Sequence, residues 1–92
     1  LAAQLRPDDP IVRHTYGLAL VRAERASDAS AQFTKAIELE PLFAPPYFYL
    51  GVLNEAYGLR DEALRSYRDF LARAAARDPL VADAQARVKR LE

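Results

Sequence analysis

A pattern that recurs at an interval of 34 residues constrains the fold of this chain more than any other feature. When the sequence is shifted by that interval, residues of like size and polarity coincide. The matched pairs are Gly17 with Gly51, Ala29 with Ala63, Phe33 with Tyr67, Ala36 with Ala2, Leu39 with Leu5 and Pro41 with Pro7. A period of this length is typical of repeat architectures, in which each unit buries its apolar face by stacking on a neighbour.

Apolar periodicity and helix-end signals predict five helices after a helix remnant over residues 1–6. Their expected spans are residues 10–23, 27–40, 45–57, 61–77 and 79–91. Asp9 and Asp78 each precede a proline, which predicts a side-chain N-cap followed by proline at the first helical position. The second helix should end before Pro41, whereas Ala75 stands at the corresponding place in the fourth helix. The fourth helix is therefore expected to run about one turn longer, to residue 77.

These landmarks resemble the tetratricopeptide repeat, a helix–turn–helix unit of about 34 residues with W-x2-L-G-x2-Y, A-x3-F and P signatures. The matching residues are Tyr16-Gly17, Leu20, Ala29, Phe33, Ala36 and Pro41 in the first unit, and Tyr47, Leu50-Gly51, Ala63 and Tyr67 in the second. The match covers nearly the whole chain in a constant phase.

The sequence departs from the family pattern at Arg13, which replaces a Trp, and at Asn54, where an aromatic residue is usual. Phe70 also replaces a small residue, which indicates a cap after the second unit. The resemblance implies an all-α fold, a tetratricopeptide superhelix or α-solenoid. Its parts are the end of a preceding repeat (1–7), two full repeats (10–43 and 44–77) and a capping helix (79–92). The chain is then expected to be a fragment of a longer protein.

Composition argues against several classes of function. The 13 basic and 13 acidic residues give a formal net charge of +0, whereas nucleic-acid binding surfaces are typically basic. The longest apolar run, residues 42–53, contains two prolines and is too short to span a membrane. The chain has no cysteine and therefore no disulfide or thiolate metal site. We expect neither a nucleic-acid nor a membrane partner, and the sequence does not indicate a cellular compartment.

Catalytic groups are equally sparse. His14 is the single histidine, and it has neither a cysteine nor a carboxylate pair on its own helix face. The adjacent carboxylates of Asp8-Asp9 and Asp61-Glu62 lie at predicted helix starts, where capping and the helix dipole account for them. Three isolated glycines do not form a phosphate-binding loop. We expect no enzymatic activity, no metal and no cofactor.

The resemblance places a partner site on the first helix of each unit, which lines the concave groove in tetratricopeptide proteins. The implied groove residues are Ile11, His14, Thr15, Leu18, Val21 and Arg22 in the first unit, and Phe48, Tyr49, Val52, Glu55 and Ala56 in the second. Most of them are apolar, so an extended apolar peptide or an amphipathic helix is favoured over a carboxylate-binding clamp. Phe48 and Tyr49 would anchor this partner, and Arg22 or Glu55 would orient it.

Three other interpretations remain open at this point. The groove aromatics could pack against one another or against another part of the parent chain. An apolar edge near the start of the chain could pair two copies in a homodimer. The chain could also be an accessory domain of a larger enzyme. Protein–protein interaction, as a scaffold or adaptor segment, is the function that the pattern favours.

Overall fold

The computed structural model describes residues 8–92, which lie in helices or in the short connections between them. The five helices of this part of the chain are α1 (Pro10–Arg22), α2 (Ala26–Leu39), α3 (Pro45–Ala56), α4 (Arg60–Arg73) and α5 (Pro79–Leu91). The all-α prediction is thus confirmed for residues 8–92. The predicted helix remnant, with Ala2, Leu5 and Pro7, lies outside the described residues.

The chain divides into two compact units, and the first ends at Phe43 while the second begins at Ala44. In the first unit α1 packs on α2, and in the second α3 packs on α4 and α4 on α5. Because only a few residues connect the paired helices, α1–α2 and α3–α4 are antiparallel helical hairpins.

Two helices begin as predicted from the Asp-Pro pairs. Oδ1 of Asp9 accepts a hydrogen bond of 2.8 Å from the backbone N–H of Ile11. Oδ1 of Asp78 accepts one of 2.9 Å from the backbone N–H of Leu80. In both cases proline occupies the first turn of the helix, where its missing N–H costs nothing.

In the first unit, a bare backbone at Gly17 allows α1 to approach α2 closely. A Cβ at this position would lie 2.6 Å from Cε1 of Phe33, well inside normal contact distance. Phe33 is fully buried, as are Ala29 and Ala36 on the same face of α2. Small residues therefore let the two helices close around a single aromatic ring.

The second unit repeats this contact one interval later. A Cβ at Gly51 would lie 2.6 Å from Cε1 of Tyr67, and both Tyr67 and Ala63 are fully buried. A larger aromatic cluster surrounds the ring, because Phe48 has its ring centre 5.7 Å from that of Tyr67 and 5.5 Å from that of Phe70. Phe70 thus fills the core where the first unit has Ala36.

The first helix of each hairpin ends in the same hydrogen-bonded turn. After α1, the N–H of Arg25 bonds to the carbonyl of Leu20 at 2.9 Å, and after α3 the N–H of Leu59 bonds to that of Asn54 at 2.8 Å. This pattern requires a left-handed conformation at the residue just before the N–H donor. These residues are Glu24, with φ 60°, and Gly58, with φ 77°. The second unit therefore uses glycine where the first uses glutamate.

The expected extension of α4 to residue 77 is wrong, because the helix ends at Arg73. Ala74 is extended, with φ −71° and ψ 146°, although alanine favours helix. Residues 74–78 instead form the connection that lets α5 fold back and bury Ala84 against α4. Tertiary packing outweighs local propensity here, since this reversal needs several non-helical residues.

Candidate interaction surface

Helix α1 presents a broad apolar surface to solvent. Ile11, Val12 and Tyr16 are 60%, 57% and 52% exposed. They belong to a set of exposed positions that covers about 140° of the helix circumference at 3.6 residues per turn. We call this set the α1 arc; it consists of Ile11, Val12, Thr15, Tyr16, Ala19 and Arg22.

The polar members of the α1 arc do little to interrupt it. The hydroxyl of Thr15 donates a 2.8 Å hydrogen bond back to the carbonyl of Ile11, so its methyl group remains for contact. Arg22 lies at the C-terminal end of the helix, and α1 contains no acidic residue. The centre of the arc is therefore uncharged, which distinguishes it from the outer faces of α2 and α4.

The outer faces of α2 and α4 carry charges of both signs instead. The exposed charged residues are Asp28, Lys35 and Glu38 on α2, and Arg60, Asp61, Glu62, Arg65 and Arg68 on α4. Such mixed faces are typical of solvated helix surfaces. Among these three helices, α1 alone is apolar on both its buried and its exposed side.

Of the groove residues predicted on α1, Ile11, Thr15 and Arg22 are exposed and belong to the α1 arc. Leu18 is half-buried at its border, and Val21 is half-buried on the side away from the arc. His14 lies on the opposite side and is only 8% exposed.

The imidazole of His14 is part of the core of the first unit. Its ring centre lies 5.3 Å from that of Phe33 and 5.6 Å from that of Phe43, the latter in an edge-on contact. Burial in these apolar surroundings lowers the pKa of His14. The side chain is therefore suited to packing in its neutral form.

The groove residues predicted on α3 are more enclosed. Phe48 is 3% exposed and contacts Tyr49 edge-on, with 5.2 Å between ring centres. Tyr49 and Val52 are half-buried. Phe48 therefore contributes to the aromatic core of the second unit and offers little surface to a partner.

Glu55, also predicted as a groove residue, is the centre of a polar network that joins α3, α4 and α5. Its Oε1 accepts a hydrogen bond of 2.7 Å from the hydroxyl of Tyr67 and one of 3.3 Å from Nη1 of Arg87. Arg90 donates to the other carboxylate oxygen, and Arg87 is held in turn by Asp83, 2.8 Å away. The carboxylate is thus bound within its own unit.

The charges in this network set its protonation states. Burial raises the pKa of Glu55, but the hydrogen bond from Tyr67 and the charges of Arg90 and Arg87 outweigh it, and the net pKa is lowered. Burial, together with the hydrogen bond to Glu55, raises the pKa of Tyr67 to about 12. The phenol therefore stays protonated at neutral pH and donates to an ionised carboxylate.

Val12 and Tyr16 are not among the groove residues that the resemblance implies. Their exposure brings them together with Ile11, Thr15 and Arg22 on one surface. The available signal was the absence of any acidic residue over residues 10–23. The convergence of Arg87 and Arg90 on Glu55 has no local sequence signal.

No protein-family model matches the chain, and no curated protein is significantly similar to it. Within residues 8–92, no three His, Asp or Glu side chains are grouped so that they could hold a metal ion. The helices in the same part of the chain all fall short of the length and apolarity needed to cross a membrane.

Proposed function

We propose that this chain belongs to a tetratricopeptide-like helical array whose function is protein–protein interaction. The contact surface in this proposal is the α1 arc, and the ligand is an apolar helix or peptide. The role is that of a scaffold or adaptor segment.

The repeat assignment is supported by the physical role of the recurring residues. Gly17 lies against the ring of Phe33 on the second helix of its hairpin, and Gly51 lies against the ring of Tyr67 in the same way. The same interval separates Glu24 from Gly58, which adopt the left-handed conformation in equivalent turns. The contact glycines and the left-handed turn residues thus recur at the same interval. This is expected where one helical hairpin is repeated in a chain.

The observation that carries the interaction function is the exposure of apolar side chains on α1. A helix that is apolar around most of its circumference normally has both sides covered. Contiguous exposed apolar patches on soluble proteins commonly mark interaction sites. Because Ile11, Val12 and Tyr16 are each more than half exposed, a ligand that covers them would remove a large apolar area from water.

The predicted anchors on α3 contribute less to this proposal. Phe48 is already packed against Tyr67 and Phe70, and Glu55 is bound by Tyr67, Arg87 and Arg90. Withdrawing either side chain to meet a partner would break contacts inside the second unit. The exposed residues of α1 require no such rearrangement.

A peptide selection by phage display against the 92-residue chain tests the proposal. The chain should be immobilised sparsely, so that neighbouring copies do not meet. Selected peptides should carry apolar residues at helical or extended spacing. Their binding should be lost in the Val12→Glu/Tyr16→Glu variant.

The matched control is Ala31→Glu/Thr34→Glu, which places two carboxylates on exposed positions of α2. Circular dichroism should show that both variants keep their helicity, and peptides should still bind the control. If the selected peptides bind both variants equally, or if the selection returns none, the α1 arc is not a ligand-binding surface.

A further inference from the structure

We infer that the partner of the α1 arc is the α1 arc of a second copy of this chain, with the two helices antiparallel across a twofold axis. This inference rests on the proposed function, because it names the ligand of the same surface. It is carried by the distribution of charge and of side-chain size along α1.

Opposite charges flank the two ends of the arc. Asp8 and the capping Asp9 precede the helix, and the Asp8 side chain is 61% exposed although its Oδ1 lies 3.4 Å from Nη2 of Arg13. Arg22 is in the last turn, and no acidic residue lies within the helix. The exposed Glu24 and Arg25 that follow offset each other, so the C-terminal end keeps the positive charge of Arg22. An antiparallel copy places each Arg22 near the partner's Asp8, whereas a parallel copy would bring like charges together.

Helix polarity favours the same arrangement. The partial positive charge at the N-terminus of each α1 would lie beside the partial negative charge at the C-terminus of the other. The ligand that this surface selects is thus an apolar helix with acidic residues before its start and a basic residue in its last turn. The chain carries such a helix in α1 itself.

Side-chain sizes are complementary about the same axis. If the twofold axis passes between Thr15 and Tyr16, Val12 faces Ala19 of the second copy, so a branched side chain meets a small one. The arrangement is isologous, because the second copy's Val12 meets Ala19 of the first in return. Tyr16 lies next to the axis, where its ring contacts Thr15 and Tyr16 of the second copy.

The size of the surface sets the expected strength. Helix α1 has 13 residues and is therefore about 20 Å long. A pair of such helices is at or below the small end of specific interfaces, which bury about 1,200–2,000 Å². We therefore expect a weak dimer, with a dissociation constant in the range of about 10–100 μM.

Sedimentation velocity of the 92-residue chain over a concentration series, from about tenfold below to tenfold above that range, measures the association. The average mass should rise from that of the monomer towards twice that value. Tyr16→Glu should keep the chain monomeric throughout, because it buries a carboxylate at the twofold axis. Ala31→Glu, on the exposed face of α2, should dimerise like the unaltered chain.

A charge exchange tests the antiparallel arrangement. Arg22→Asp should weaken the dimer about three- to tenfold, since two symmetric ion pairs become repulsive. Combining Arg22→Asp with Asp8→Arg should restore most of the affinity. Circular dichroism of each variant should confirm unchanged helicity, so that a loss of association is not a loss of folding.

A monomer at every concentration overturns the inference. If such a monomer still binds selected peptides through Val12 and Tyr16, the proposed function stands and the arc takes a different protein. If the monomer binds none, both proposals fail. A dimer that persists in Tyr16→Glu, or one that the charge exchange does not restore, also overturns this arrangement.

Discussion

The α1–α2 and α3–α4 hairpins bring their helices together in the same way and differ in the groups around that contact. In each, a helix glycine lies against the ring of a buried aromatic residue, with the same closest distance of 2.6 Å to an added Cβ. The rings are those of Phe33 and Tyr67. They differ by the single hydroxyl of Tyr67, and the residues around this hydroxyl differ from those at the same place in the first hairpin.

In the second hairpin the hydroxyl of Tyr67 donates to Glu55, and Arg87 of α5 lies close to both. In the first hairpin, Val21 stands at the position that corresponds to Glu55. The hairpin that has α5 packed on it thus has a polar network at its edge. The other has an apolar edge and an exposed apolar helix.

This difference separates the features that the two hairpins share from those in which they differ. Positions where two backbones approach closely require small residues, because a side chain there would overlap a ring. Positions at the edge of the contact can be apolar or polar, provided that every buried polar group has a partner. The substitutions below exchange these features between the two hairpins.

The largest expected effect is that of alanine at the two contact glycines. Gly51→Ala should destabilise the chain by about 2–3 kcal/mol, and Gly17→Ala by about 1–2 kcal/mol. The added methyl group overlaps the ring in both cases. Tyr67 is also held at its far end by the 2.7 Å hydrogen bond to Glu55, so its ring has less freedom to move away.

Urea denaturation of the two variants measures this difference. The companion variant Gly51→Ala/Tyr67→Phe removes the hydroxyl and should bring the effect of the alanine close to that of Gly17→Ala. If Gly17→Ala is the more damaging substitution, the hydroxyl does not restrain the ring.

The second exchange introduces the hydroxyl into the first hairpin. Phe33→Tyr should destabilise the chain by about 1–2 kcal/mol, because the new polar group lies at a fully buried ring and Val21 offers no acceptor. Val21→Glu supplies the acceptor that the second hairpin has in Glu55. The double variant should therefore recover part of the loss, and a double-mutant cycle measured by denaturation should give a favourable coupling energy. If the effects of Phe33→Tyr and Val21→Glu are strictly additive, residue 21 does not provide an acceptor for the buried hydroxyl.

The third exchange concerns His14, which corresponds to Phe48 in the second hairpin. Burial lowers the pKa of His14 below its ordinary value of 6.5, so below pH 6.5 the unfolded chain binds a proton that the folded chain does not. The free energy of unfolding should therefore fall as the pH falls below about 6.5, by at most about 1.4 kcal/mol per pH unit. His14→Phe should remove this dependence.

Denaturation midpoints between about pH 5.5 and 7.5 test this prediction, since that range lies above the ordinary pKa values of carboxylates. Glu55 does not interfere, because its pKa is lowered and its contribution is lost only at more acidic pH. The same slope in His14→Phe and in the unaltered chain would show that another group titrates.

The recurring residues explain why much of the fold could be predicted from the sequence. Gly17, Phe33 and the Asp-Pro helix starts act within one hairpin or one turn, so their spacing carries the information. The C-terminal end of α4 could not be predicted in this way, since Ala74 leaves the helix to allow α5 to pack. The same is true of the polar network around Glu55, a predicted groove residue, because Glu55 meets Arg87 and Arg90 only after three helices have assembled.

The smallest expected effect distinguishes the turns that end α1 and α3. Glu24 and Gly58 both have positive φ, which disfavours residues with a Cβ and leaves glycine unstrained. Glu24→Gly should stabilise the chain by about 0.5–1 kcal/mol, less than the full relief of strain, because glycine also increases the entropy of the unfolded chain. Gly58→Ala should destabilise it by a similar amount, and the loss must be conformational because an added Cβ there meets no atom within 4 Å.

Glu24→Gln is the matched control, since it removes the charge and keeps the Cβ, and its denaturation midpoint should stay close to that of the unaltered chain. If Glu24→Gln stabilises as much as Glu24→Gly, the charge of Glu24 and not its backbone conformation makes the first turn weaker than the second.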